Sequence, residues 1–405
     1  MSTLITYSPK LIGEINNKIV AISECLSGNL PKDIDLIGGK AGIALFWAYY
    51  SRFSKSVDLE KKLSPIISEI FQGIRQSYIS PTFAGGLAGI GWMIEHLNQN
   101  DFIEIDTDSI LDSFDEALYP VMLKMMTTGD YDYLHGALGI GLYYLNRKSN
   151  PKSALYITEL VNELDKHTEH FPHGFTWESR LLREEDEMIY NLSLSHGIAS
   201  IISVLSSFYE ANIDCERISN LVNGAINFLL TNKNDIKLSK YFFPSYIYKN
   251  HDYKENLGRL AWCYNDLGIS MALLKAAMIF NNEHWKQEAI NVLLHTTNII
   301  KWNDTKVEDA GLCHGCTGIA HIYHRSYRYT GIEKFKDSAI YWFNQSLKMA
   351  DFKDGLAGYK CVKPKKYGGI CDEYGFLEGI AGIGLAMISA VSDIEPEWDN
   401  ALLLN

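Results

Sequence analysis

The sequence has no surplus of positive charge. Its 405 residues carry 37 Lys and Arg against 49 Asp and Glu, for a formal net charge of −12, and no dense basic cluster offsets that balance. Such a chain repels phosphate backbones, so no nucleic-acid partner is expected. Residues 1–13 lack the cationic start and the continuous apolar stretch of a secretory signal, so a cytoplasmic location is expected. Long hydrophobic runs are missing too. The most apolar segment, 376–391, is interrupted by Glu378 and is shorter than the roughly 20 residues needed to cross a bilayer, so no transmembrane segment is expected. Cysteines number only seven (Cys25, Cys215, Cys263, Cys313, Cys316, Cys361 and Cys371). An odd count without an export signal argues against a disulfide framework and leaves thiols for metal or for chemistry. With 47% apolar and only 21% charged residues, global disorder is excluded.

A short pattern recurs: Gly-x-x-Gly-Ile followed by an apolar run. Intact copies begin at Gly39, Gly86, Gly136, Gly315 and Gly379. Two altered copies complete the set: Gly197-Ile198-Ala199-Ser200-Ile201 and Asn265-Asp266-Leu267-Gly268-Ile269. Successive first positions lie 47, 50, 61, 68, 50 and 64 residues apart, the spacing of a helical hairpin plus loops.

Between the copies lie seven segments with helical period, at 11–27, 58–76, 107–127, 152–167, 213–233, 283–300 and 332–350. Each glycine pair opens a second, more uniformly apolar helix. Seven buried helices alternating with seven half-exposed ones predict an all-α fold, an α/α toroid of two concentric rings over one domain, 1–405. An open solenoid would need polar end caps, and both terminal segments look core-like. The glycines have two physical uses at a helix start: positive φ, and close approach of neighbouring backbones. Long loops at 168–195, 234–259 and 351–375 are expected at the active-site face. The second carries the aromatic run Tyr241 to Tyr248, suited either to holding an extended chain or to covering the fold.

Chemistry concentrates where the turns carry unusual residues. Arg259-Leu260-Ala261-Trp262-Cys263-Tyr264 precedes one copy, and Cys313-His314 precedes the next. Cys and neutral His are zinc ligands, and three protein ligands with an open fourth position define a catalytic site. Cys263, Cys313 and His314 stand at equivalent turns of adjacent repeats, so neighbouring helices can bring them together. Cys313-His314-Gly315-Cys316 also reads as a redox Cys-x-x-Cys at a helix start, and burial as inert thiols is a third reading. His196 and His135 both fill the position before a repeat glycine, as His314 does, and compete as acid/base candidates. Asp132 and Arg259 lie on the same rim.

Trp262-Cys263-Tyr264, Cys313-His314-Gly315 and Ser195-His196-Gly197, on a background of seven glycine repeats, resemble the lanthipeptide cyclase (LanC) family over nearly the whole chain. At this length, without an appended dehydratase, the chain resembles a stand-alone class I cyclase. The resemblance implies an α/α toroid and one Zn2+ per chain on Cys263, Cys313 and His314. It places acid/base and substrate-activating roles on His196, Asp132, Arg259 and Tyr264. It also implies a dehydrated precursor peptide as substrate and a lanthipeptide dehydratase as partner. One departure stands out: the family commonly has Gly-x-Pro-Gly after the Cys-Tyr pair, whereas this chain has Asn265-Asp266-Leu267-Gly268. Asn tolerates left-handed φ, so the turn is expected to survive.

The implied reaction is Michael-type addition of a peptide Cys thiol to dehydroalanine or dehydrobutyrine, giving a thioether ring. His196 is the expected general acid for the enolate, Arg259 its charge stabiliser, Asp132 the residue that orients His196, and Tyr264 a support for that network. Three other classes stay open: addition of a small thiol such as glutathione, zinc-dependent thiol alkylation, and a non-catalytic zinc-stabilised scaffold that binds peptide. A glycosidase is disfavoured because Asp132 has no paired carboxylate.

Overall fold

Helices dominate, and nearly all of them follow from the two sequence patterns. A computed structural model describes residues 7–28, 30–55, 58–179, 188–250, 254–255 and 258–405. In chain order the first helices are α1 (Pro9–Leu26), α2 (Lys40–Ser54), α3 (Leu59–Gln76), α4 (Leu87–Gln99), α5 (Thr107–Thr127), α6 (Ala137–Asn146) and α7 (Ser153–Lys166). After short strands β1 (Glu169–Phe171), β2 (Gly174–Thr176) and β3 (Ile189–Asn191) come α8 (Ile198–Glu210) and α9 (Cys215–Thr231). Strands β4 (Tyr246–Tyr248) and β5 (Lys254–Glu255) precede α10 (Asp266–Ile279), α11 (Glu283–Thr296) and the short α12 (Trp302–Thr305). The chain continues with α13 (Cys316–Thr330), α14 (Glu333–Met349), β6 (Cys361–Val362), β7 (Ile370–Cys371) and α15 (Ile380–Val391).

The amphipathic helices are built for one wet face. In α3 only Leu63, Ile66 and Ile70 are buried, and Asp58 caps its start by accepting from Lys61 N at 3.3 Å. Asp106 and Asn282 cap α5 and α11 in the same way. The helix expected over 283–300 ends at Thr296. There Thr296, Thr297 and Asn298 turn their side chains back onto the carbonyls of Leu293 and Leu294, which closes the last turn.

The glycine-led helices are buried on all sides: every residue from Asp266 to Ala277 in α10, and from Ile380 to Ala390 in α15. None of those with a described cap uses a side chain for it. Instead the preceding loop folds back, and the carbonyl six residues before the first glycine accepts the first helical N–H. Examples are Lys40 to Asp33 (2.9 Å), Ala137 to Asp130 (3.0 Å), Cys316 to Asp309 (3.0 Å) and Ile380 to Glu373 (3.0 Å). That return path explains the glycines. A Cβ on Gly197 would lie 2.1 Å from Asn191 O, one on Gly318 1.9 Å from Leu312 O, and one on Gly382 1.8 Å from Phe376 O. Of the two uses expected for these residues, close approach is the operative one, since the first glycines sit at φ between −101° and −132°. Asn265 alone differs, at φ 63° and ψ −154°. A residue with a Cβ escapes the returning carbonyl by rotating into a region that is nearly glycine-only and costs on the order of 1–3 kcal/mol.

The chain divides into two compact units. One comprises Met1–Ser80, His96–Ile105 and Val307–Leu402. Within it α15 packs on α1, α2 and α13, and α13 packs on α14. The turns of its three glycine repeats are stitched by main-chain bonds: Cys313 N donates to Leu377 O (3.1 Å), and Leu377 N donates to Ile37 O (3.1 Å). The last repeat is thereby joined to the first. The other unit comprises Pro81–Glu95, Asp106–Lys306 and Leu403–Asn405. Within it α8 packs on α6, α9 and α10, and α10 packs on α11. Equivalent stitches run from Ala84 N to Leu134 O (2.9 Å) and from Ser195 N to Cys263 O (3.4 Å).

The three long loops carry small antiparallel sheets: β1 with β2, β3 with β4 and β5, and β6 with β7. Residues 180–187 of the first loop and 251–253 and 256–257 of the second lie outside the described residues. Of the aromatic run, Tyr241, Phe243 and Tyr246 are buried in packing. Ile247 and Tyr248 line an open groove of about 630 Å3 with Phe171, Tyr190 and Phe228. Among the described residues no helix is long and apolar enough to cross a membrane.

Candidate metal and acid/base centre

The repeat turns offer two successive positions just before the first helical glycine or its replacement. The outer of the two holds Cys263 and Cys313; the one next to the glycine holds His135, His196, Tyr264, His314 and Glu378. Cys263 is buried, and its carbonyl accepts both the main-chain N–H and the hydroxyl of Ser195. Cys313 and His314 are half-buried. The two Sγ atoms and a ring nitrogen of His314 all lie within 4.8 Å of one another, and this is the one such group among the described residues. Two thiols and an imidazole are the soft and borderline donors that suit zinc, and three donors leave a fourth position open. The donor set therefore fits the metal that the sequence implies.

Asp309, which sequence reasoning did not single out, stands beside this group. It is buried, with Oδ2 3.7 Å from His314 Nε2, and it accepts from the N–H groups of Gly311 (3.0 Å) and Val362 (3.1 Å). The signal was available: the place six residues before the glycine is acidic in four copies, as Asp33, Asp130, Asp309 and Glu373. Cys316 is fully buried against Met349 Sδ, and burial pushes its thiol well above the ordinary value. That is the reverse of what a redox Cys-x-x-Cys requires.

The second cluster is built on His196. Its Nδ1 lies 2.8 Å from Asp132 Oδ2, and its main-chain N–H donates to Ser193 Oγ at 3.1 Å. His135 stacks on the His196 ring at 5.7 Å between centroids, and Tyr264 leans toward it at 6.5 Å. Asp132 Oδ1 accepts from His135 N at 2.7 Å. Desolvation, partly offset by Asp132, lowers the His135 pKa, and the neighbouring His196 lowers it further. Burial pushes the Tyr264 hydroxyl well above its usual range, so it stays a neutral phenol. Asp130, near Asp132 in sequence, serves the turn itself: its carbonyl accepts Ala137 N. Arg259 is half-buried, and its main-chain N–H donates to Asn265 Oδ1 at 3.2 Å.

Known proteins resemble this chain in sequence and in architecture. The Nisin biosynthesis protein NisC of Lactococcus lactis subsp. lactis is 24% identical over 400 residues, covering 92% of this chain and 89% of that protein. The solved structure of a Nisin cyclase superposes with a TM-score of 0.75 at 20% identity, covering 98% of both chains. That likeness shows the fold, an α/α toroid, as the alternating helices predict. Residues 31–403 match the family described as lanthionine synthetase C-like protein. That match spans most of the sequence: the chain belongs to the lanthionine synthetase C-like family.

Proposed function

We propose that this chain is a zinc-dependent lanthipeptide cyclase. It adds Cys thiols of a dehydrated precursor peptide to dehydroalanine or dehydrobutyrine and so closes thioether rings, in the cytoplasm and alongside a dehydratase. The observation that carries this reading is the convergence of Cys263, Cys313 and His314 on one donor set. The turn that supplies Cys263 is bonded through Ser195 to the turn that supplies His196. The similarity to a nisin cyclase supports the same reading.

Two thiolates and a neutral imidazole balance the charge of Zn2+, and the chemistry such an ion supplies is a lowered pKa for an incoming thiol. The addition makes a bond between the substrate sulfur and the β-carbon at the expense of the carbon–carbon π bond and leaves an enolate, which must take a proton at the α-carbon to replace the one the thiol released. His196 holds that proton at Nε2, because Nδ1 is engaged by Asp132. Asp132 fixes the ring's orientation with a carboxylate that is itself anchored on His135 N. Arg259 supplies a guanidinium to the developing oxyanion. Tyr264, too weak an acid to ionise there, packs beside the imidazole and limits water.

The test is cyclisation of a peptide containing Cys and dehydroalanine, with glutathione present as competitor. Ring closure removes the free thiol with no change in mass. Loss of alkylatable thiol at constant mass, together with about one zinc per chain, is the expected result. Glutathione adducts with peptide thiols intact would replace this reading by small-thiol addition.

A further inference from the structure

We propose that Asn265 is a positioning residue: it ties the Cys263-Tyr264 turn to Arg259 and to the aromatic segment 241–248, and thereby sets the grip on the peptide substrate. The inference rests on the function proposed above. It begins from the one repeat whose first glycine is replaced.

At Gly39, Gly136, Gly197 and Gly379 the backbone is extended and lies against the carbonyl six residues earlier. Here the residue six earlier is Arg259, and Asn265 has rotated to φ 63°. Rotation brings its side chain into use. Oδ1 accepts from Arg259 N at 3.2 Å, and Nδ2 donates to Phe243 O at 3.0 Å and to Ser245 Oγ at 3.2 Å. Asp266 continues the junction, accepting from Phe242 N and Phe243 N at 2.9 Å each. Both side chains are fully buried. Five hydrogen bonds from two consecutive residues thus hold Arg259 on one side and Phe242 to Ser245 on the other.

Beyond Ser245 the segment reaches the acid/base cluster. The Tyr246 ring meets Tyr264 edge-on at 5.7 Å, and Tyr264 leans on His196. Ile247 and Tyr248, next in the chain, line the open groove. A glycine at 265 would accept the same φ but would make none of the three side-chain bonds. The Asn therefore exchanges an easy backbone for a fixed link between a charge-bearing residue and a surface suited to an extended peptide.

Asn265→Gly and Asp266→Asn test this, because neither demands a backbone the new residue resists. Amide hydrogen exchange over 242–246 should quicken in both variants, with zinc stoichiometry and helical content unchanged. With a dehydrated peptide, Asn265→Gly should raise KM by about tenfold and lower kcat by much less, since the segment is held less firmly. Asp266→Asn, which keeps the Arg259 bond, should raise KM with kcat intact. Unaltered exchange and KM in Asn265→Gly would overturn the proposal, as would loss of zinc, which would make Asn265 a support of the metal turn alone. If the wild type closes no ring, the cyclase reading fails, while the exchange measurement still decides whether the junction exists.

Discussion

Asp132 divides its two carboxylate oxygens between residues that fill the same position in consecutive repeats: Oδ2 meets the His196 ring at 2.8 Å, and Oδ1 takes the His135 main-chain N–H at 2.7 Å. One histidine is held by its imidazole and the other by its backbone. That asymmetry separates two candidates that share one position of the repeat.

The first expectation concerns that asymmetry. His196→Asn should slow cyclisation by about 10²-fold or more, the usual scale for a lost general acid, with zinc retained. Asp132→Asn should lower kcat in the same direction by about 10-fold or more through loss of orientation. His135→Asn should leave kcat near wild type. Single-turnover assays beside metal analysis check all three, and zinc lost from His196→Asn would make that residue a ligand.

Metal content separates the cysteines. Cys263→Ala and Cys313→Ala should each lose about one equivalent of zinc while circular dichroism stays helical, because three donors form one site. Cys316→Ala should keep both zinc and activity, since its sulfur lies in packing against Met349. Full retention in the first two variants would refute the ligand assignment.

Two glycines should respond in opposite directions to the same change. Gly382→Ala puts a Cβ 1.8 Å from Phe376 O, a contact that only backbone movement relieves, and should destabilise by about 1–3 kcal/mol or more. Gly13, mid-helix and exposed in α1, has nothing within 4 Å of an added Cβ, so Gly13→Ala should stabilise by about 0.5–1 kcal/mol. Thermal melts of the two variants read the contrast directly.

A fourth expectation is a pH dependence. Burial raises Asp266 to about 7, opposed by the N–H groups of Phe242 and Phe243 and by the charges of His295 and Lys233. The folded pKa lies above the unfolded value, so the folded chain binds the extra proton and the stabilising contribution is greatest at low pH. It is lost as pH rises from about 4 through about 7. The stability of wild type relative to Asp266→Asn should therefore fall across that window. A flat difference would show that Asp266 is ionised throughout.

Much of the fold was legible because its signals are local. The helix predicted over 107–127 has those bounds, and α2, α6, α8, α10, α13 and α15 all begin one residue after the repeat glycine or its Asn replacement. Periodicity and a steric need for glycine act within a few residues. The small sheets were not legible: β3 has three residues, too few for alternation to register, and it exists because Asn191 finds Tyr246 and Ile189 finds Tyr248. The site divided along the same line. Cys263, Cys313 and His314 were found because repeat position marks them. The partnership of Asp132 with His196 spans 64 residues; the family resemblance implies it, but no local pattern marks it. Asp309 escaped because its main-chain role in the turn hid what its carboxylate does.

The main-chain bond from Leu377 to Ile37 has a consequence for how such a protein can change. An open stack of hairpins can grow or shrink at its ends, and natural variation can then act by counting. Joining the last turn to the first removes the ends, so a hairpin gained or lost would leave two turns without a neighbour. Closure therefore ties repeat number to the ring, and the chemistry that differs between repeats stands at the two positions before each helical glycine. Thiol, imidazole, phenol and carboxylate groups occupy those equivalent positions in one repeated scaffold.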